Sequence, residues 1–264
     1  MALLSVQGLT WVSALVGVLL VPRFLGANGL GAYAAITTVV ALISLVASLG
    51  TANHVVREVA RNPARAADLV AHTVVARLGV WAVFFILSLL VAAATTRDAY
   101  TTLVVAVMVA GAGVGLMVAP MQSALQGAQR LGKAAIVGSA VAVGGQAAVI
   151  AVLAFGGGIL ALAVVGTITT AVTLAFTLPL FWGHLRGPVK WSRLSLTAVF
   201  SGGLPFLMWE AALHVYGGID YLVLGILTDA GTVGRYAFAY RLAGWKAALK
   251  LATVNSSPPS RATS

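Results

Sequence analysis

Three ionisable side chains interrupt the apolar run "WEAALHVYGGIDYLVLGIL" at residues 209–227: Glu210, His214 and Asp220. On a helix advancing about 100° per residue they occupy one sector of about 120°. Carboxylates and an imidazole clustered this way can exchange protons, hold a small cation or answer a buried cation. They have no reason to face hydrocarbon, where each ionised group costs about 2.5–3.5 kcal/mol even on insertion scales. The sector therefore predicts a hydrated passage or partner charges. The alternatives are a structural ion pair, or an Asp220 simply solvated near a helix end.

The element that must position them is a membrane helix. Of 264 residues, 60% are hydrophobic and 8% charged, against roughly 25% charged in a soluble domain. Several apolar runs reach about 20 residues, the length that crosses about 30 Å of hydrocarbon. The fold class expected is all-α and polytopic. Spans are predicted at 4–22, 30–50, 74–94, 99–121, 134–155, 158–181 and 198–227, with 235–252 a poor span that reads better as an interfacial helix. The first run has no preceding Lys or Arg and ends in Val21, Pro22 and Arg23, so it reads as a retained span and not a secretory signal. "TTRDAY" and Gly156–Gly158 read as tight turns.

Charge orders the loops. Arg57, Arg61, Arg65, Arg130, Lys133, Arg186, Lys190 and Arg193 fall on one side, against Arg23, Arg97 and Arg235 on the other. The positive-inside rule places the richer side, and with it the amino terminus, in the cytoplasm of a multi-pass cell-membrane protein. A net charge of +10 thus reads as orientation and contact with anionic lipids, not nucleic acid. The absence of Cys excludes disulfides, thiolate metal sites and cysteine nucleophiles. Six acidic residues and four His form no nucleophile–base motif, so no enzyme and no cofactor is expected beyond a coupling ion, H⁺ or Na⁺. His54, His72 and His184 match no metal-ligand spacing. Glycines in "GAGVG" (111–115) and "VGGQ" (143–146) sit mid-span and read as helix-packing positions.

"LGANGLGAYAA" at 25–35 echoes "TDAGTVGRYAF" at 228–238, with Ala27, Gly31, Tyr33 and Ala34 matching Ala230, Gly234, Tyr236 and Ala237 at an offset of 203. Six spans separate the copies, which makes them parallel repeats, as in transporters built from two like halves. The expected organisation is a six-helix lobe at 1–183, the start of a second at 184–251 and a disordered tail at 252–264. A chain of this length would then be a fragment, or a frame-shifted product, of a two-lobe protein.

"VPRFLGANGLGAYAAITTVVALISLVASLGTANHVVREVAR", "MQSALQGAQRLGKAAIVGSAV" and "GLPFLMWEAALHVYGGIDYLVLGILTDAGTVGRYAFAYRL" resemble, in order and spacing, Wzx-type polysaccharide flippases of the MOP (MATE-like) exporter superfamily. The resemblance covers about residues 5–245. It implies two six-helix lobes around a central cavity and outward movement of a polyprenyl-pyrophosphate-linked oligosaccharide. A cation-coupled multidrug antiporter of the same superfamily, and a non-transporting scaffold subunit of a polysaccharide synthesis complex or inactive truncated fragment, are the competing readings.

The candidate substrate-binding residues are Arg23, Arg57, Glu210, His214, Asp220 and Arg241. Arg23 ends the first span, equivalent by repeat to the seventh, and can offer a pyrophosphate a bidentate fork or snorkel to headgroups. Arg57, with Glu58, Arg61 and Arg65, forms a helical spacing of four on a cytoplasmic connector, suited to headgroup capture or merely to topology. Arg241 faces the cavity only if 235–252 spans. Arg77, one turn inside the third span, is expected to snorkel.

Overall fold

The computed structural model describes residues 2–96, 98–185, 187, 189, 193–229 and 231–240, and the secondary structure among them is helical throughout. In chain order these are α1 (Ala2–Ser48), α2 (Thr51–Arg61), a 3₁₀ turn (Pro63–Arg65), α3 (Ala66–Thr96), α4 (Ala99–Gly127), α5 (Leu131–Ala154), α6 (Ile159–His184) and α7 (Arg193–Leu227). A further helix, α8, occupies 231–240. The protein is an all-α, multi-pass membrane protein, and among the described residues five helical stretches are long and apolar enough to cross a bilayer.

The first stretch, Thr10–Arg61, runs for 52 residues, which at 1.5 Å per residue is about 78 Å and far exceeds one hydrocarbon core. It takes in most of the span expected at 4–22 and the whole of that expected at 30–50, joined by a kink and not a loop. Gly26 makes the kink with φ 66° and ψ 178°, a region essentially reserved for glycine, and Pro22 removes a helical hydrogen bond just before it. Neighbours show that the chain reverses there. A Cβ on Gly17 would meet Gln146, and Val21 packs with Leu153, so this half of α1 runs alongside α5 in the same sense. Beyond the kink Tyr33 packs near Leu162, and Thr51 lies beside Arg77. The second half therefore returns to the end from which α3 starts.

Other boundaries shift outward. α3 starts at Ala66 and α7 at Arg193, with Pro205 inside the helix. Arg65 is not on the helix that carries Arg57 and Arg61: Asn62 leaves helical geometry at φ −146° and Pro63 opens the 3₁₀ turn, so the spacing of four ends at Arg61. The tight turns are present. Asp98 caps α4 two residues after α3 ends, and Gly156 at φ 84° turns α5 into α6.

Small residues allow the helices to close. A Cβ on Gly111 would stand 2.5 Å from the Thr167 hydroxyl, one on Gly113 2.6 Å from the Trp81 ring, and one on Gly145 2.6 Å from Thr169; Gly144, by contrast, faces open space. At the basic end, which carries Arg57, Arg61, Arg65, Arg130 and Lys133, α2 lies across the bundle. Its buried face is Thr51, His54, Val55 and Val59, at the spacing of an amphipathic helix. Val55 and Val59 are fully buried against Met121, Leu125 and Phe181, each contributing about 1.5–3 kcal/mol of apolar burial.

Candidate functional site

The corner between α1 and α2 is built from Leu49 and Gly50, both in the left-handed region (φ 53° and 60°). α7 crosses this corner backbone to backbone. A Cβ on Gly50 would stand 2.2 Å from the Leu207 amide nitrogen, and one on Gly203 2.1 Å from the Leu49 carbonyl oxygen. Two turns further along α7, this crossing sets Glu210 against Ser48, whose Oγ lies 3.5 Å from Glu210 Oε2.

Arg77 approaches the same corner from α3, about 16 Å along that helix. Its Nε donates to Thr51 Oγ1 at 2.9 Å, and Thr51 Oγ1 donates onward to the Ser48 carbonyl at 2.9 Å. Glu210 interacts with the guanidinium electrostatically. Arg77 is 1% exposed. The expectation of a snorkelling side chain is therefore overturned: Thr51 and Glu210 hold the charge inside, where the compensation a headgroup would have given comes from the protein.

Arg77 also forms part of the wall of a cleft of about 520 Å³ between α1, α3, α4 and α6, whose polar lining includes Tyr33, Ser44, Ser48, Thr167 and Thr170. Among the described residues that line it, Arg77 carries the charge; the rest are apolar or hydroxyl-bearing. A cleft with a buried cation behind its wall and hydroxyls on its lining suits an anion carrying further hydrogen-bonding groups.

At the opposite end the two echoed segments pack against each other. A Cβ on Gly234 would stand 2.2 Å from the Ala27 carbonyl oxygen, and one on Gly231 3.1 Å from Asn28 Oδ1. Leu30, Ala34, Val233 and Ala237, paired by the same offset, are all buried. Tyr236 Oη donates to Asp220 Oδ2, tying α8 back to α7.

The structure thus separates the residues that the sequence groups. Glu210 serves the α1–α2 corner and Asp220 the α7–α8 turn, each half-buried. His214 lies on α7 between them, its side chain outside the described atoms. Arg23 stands exposed at the end of the first half of α1. Arg57 is exposed on α2, its Nε 3.7 Å from Glu58 Oε1, while Arg61 reaches the same oxygen at 3.1 Å. Arg241, like the proposed tail at 252–264, lies outside the described residues. Sequence reasoning missed Arg77. The signal available was the polar series Ser44, Ser48, Thr51 at helical spacing in an otherwise apolar span, which asks for a polar partner at that depth.

A smaller cavity of about 120 Å³ at the basic end is lined by His54, Glu58, Asn62, Arg65, Asp68 and His72. Burial lowers the His54 pKa, with Glu58 opposing that shift and Arg57 adding to it. His72 Nδ1 lies 2.8 Å from the Asp68 carbonyl oxygen. Among the described residues, no group of three or more His and acidic side chains is placed to hold a metal ion.

The family model described as polysaccharide biosynthesis protein matches residues 1–248. No curated protein and no solved structure matches the chain.

Proposed function

This chain belongs to the polysaccharide biosynthesis protein family, and we propose that it takes part in moving a polyprenyl-pyrophosphate-linked oligosaccharide across the cytoplasmic membrane. In this reading residues 1–183 form one lobe, α7 and α8 begin a second, and the two alternate around the substrate. The basic end and the amino terminus face the cytoplasm, where the glycan carrier is loaded. No bond is made or broken in the step; the protein lowers the barrier to carrying charge and sugar hydroxyls through hydrocarbon.

The observation that carries the reading is Arg77, a buried cation on the wall of a cleft otherwise apolar or hydroxyl-lined. The reading requires the guanidinium, 1% exposed and answered by Glu210 in this arrangement, to turn toward the cleft; so turned, it repels a cationic drug and offers a phosphate a planar donor. Charge-assisted hydrogen bonds are worth about 1.5–3 kcal/mol, or roughly tenfold and more in rate. Arg77→Gln is therefore expected to reduce glycan export at least about tenfold with the protein still present in the membrane. Thr51→Val, which removes the orienting oxygen and leaves the charge, is expected to give a smaller loss. Export at parental level in both variants would remove the cleft from the mechanism.

A further inference from the structure

At the basic end the seventh helix meets both α3 and the α1–α2 corner. Val199 packs with Leu49 and Ala76, and Gly203 touches the α1–α2 corner. In lipid, apolar contact between helices gains little over contact with acyl chains. Among the described contacts, polar groups run from α3 to α7 at this level: Arg77 donates to Thr51, Thr51 donates to the Ser48 carbonyl, and the Ser48 hydroxyl, which donates to the Leu45 carbonyl at 2.7 Å, also stands 3.5 Å from Glu210. Arg77 and Thr51 belong to the body formed by α1–α3, and Glu210 belongs to α7.

We propose that Arg77 and Glu210, bridged by Thr51 and Ser48, form a latch that keeps α7 closed on the α1–α2 corner at the basic end. Opening that end separates a carboxylate from a buried cation, so the closed arrangement is favoured until the separated charges are answered in another way. The Ser48 hydroxyl donates to the Leu45 carbonyl at 2.7 Å and reaches Glu210 only at 3.5 Å, long for a hydroxyl–carboxylate bond, so the attraction between Glu210 and Arg77 is the main hold and the latch can open. Ala76, next to Arg77 and 8% exposed beneath Val199 and Leu49, is covered when the latch is shut and uncovered when α7 leaves.

The inference rests on the translocation reading only in taking α7 to move against α1–α6. The chain contains no Cys, so Ala76→Cys gives one thiol to follow. Its reaction with a membrane-impermeant maleimide is measured in inside-out vesicles, without substrate. The parental background is expected to react slowly and Glu210→Gln about tenfold faster, the effect of losing the carboxylate charge that attracts Arg77. Ser48→Ala, a milder change that keeps both charges, is expected to accelerate it less, and it carries the test by itself if Glu210→Gln does not accumulate. Rates equal to parent in the variants that accumulate overturn the latch. Flat labelling together with export that still requires Arg77 rejects the latch and leaves translocation standing. Faster labelling in a chain that supports no export keeps the latch and rejects translocation.

Discussion

Asp98 accepts from the Tyr100 and Thr101 amides at 3.1 and 3.0 Å and from the Thr101 hydroxyl at 2.7 Å, closing the turn into α4. Asp229 repeats the arrangement before α8, with the Thr232 amide at 3.0 Å and its hydroxyl at 2.7 Å. The threonine hydroxyl, then the backbone amides, hold each carboxyl below its usual 3.8. A carboxylate whose folded pKa is depressed contributes stability that is complete above the unfolded value and drains away as pH falls through the folded one. Asp98→Ala is thus expected to lower the melting temperature of the detergent-solubilised protein at neutral pH, and the deficit should vanish well below pH 3.8. A deficit that persists in strong acid would assign the effect to something other than the ionised cap. This residue-scale role was legible as a turn in "TTRDAY", but Arg77 was not read correctly. A span boundary drawn at residue 74 put Arg77 near the interface; the helix begins at Ala66, which carries it inward.

Helices meet where side chains vanish. The echo between 25–35 and 228–238 was visible as a pattern and predicted equivalent places in two repeats. It did not predict that the copies touch, because a repeat states equivalence and contact depends on the axis that relates the two. The close approach of Gly234 to the Ala27 carbonyl supplies that contact. Gly138, in α5, has nothing within 4 Å of where a Cβ would stand. Alanine in a helix gains up to about 1 kcal/mol over glycine, whereas forcing a methyl into a filled contact costs about 1–3 kcal/mol. Gly138→Ala is therefore expected to hold or raise the melting temperature, and Gly234→Ala to lower it. Equal shifts in the two variants would mean that α8 does not rest on α1 as described. The same logic explains why the grouped polar sector of α7 separated: Glu210 and Asp220 are ten residues, about 15 Å, apart along the axis, and each is claimed by a different neighbouring helix.

Across the whole molecule the charges sort cleanly. Arg57, Arg61, Arg65, Arg130 and Lys133 ring one end, while Arg23 and Arg235 are the described cations of the other. Class and span order were readable because hydrocarbon thickness constrains length and composition together. The break at Gly26 was read as a loop because hydropathy cannot distinguish a bent helix from two. The orientation proposed rests on the charge asymmetry alone, and it decides which compartment the Arg77–Glu210 corner opens toward. Gln126, exposed in the last turn of α4, and Phe155, 91% exposed in the turn after α5, mark the two ends. With no native Cys, Gln126→Cys is expected to react with an impermeant maleimide only in inside-out vesicles, and Phe155→Cys only in intact cells. The reverse pattern would turn the protein over, place the corner on the external side and, under the proposed function, make α7 a barrier to release of the glycan and not to its loading.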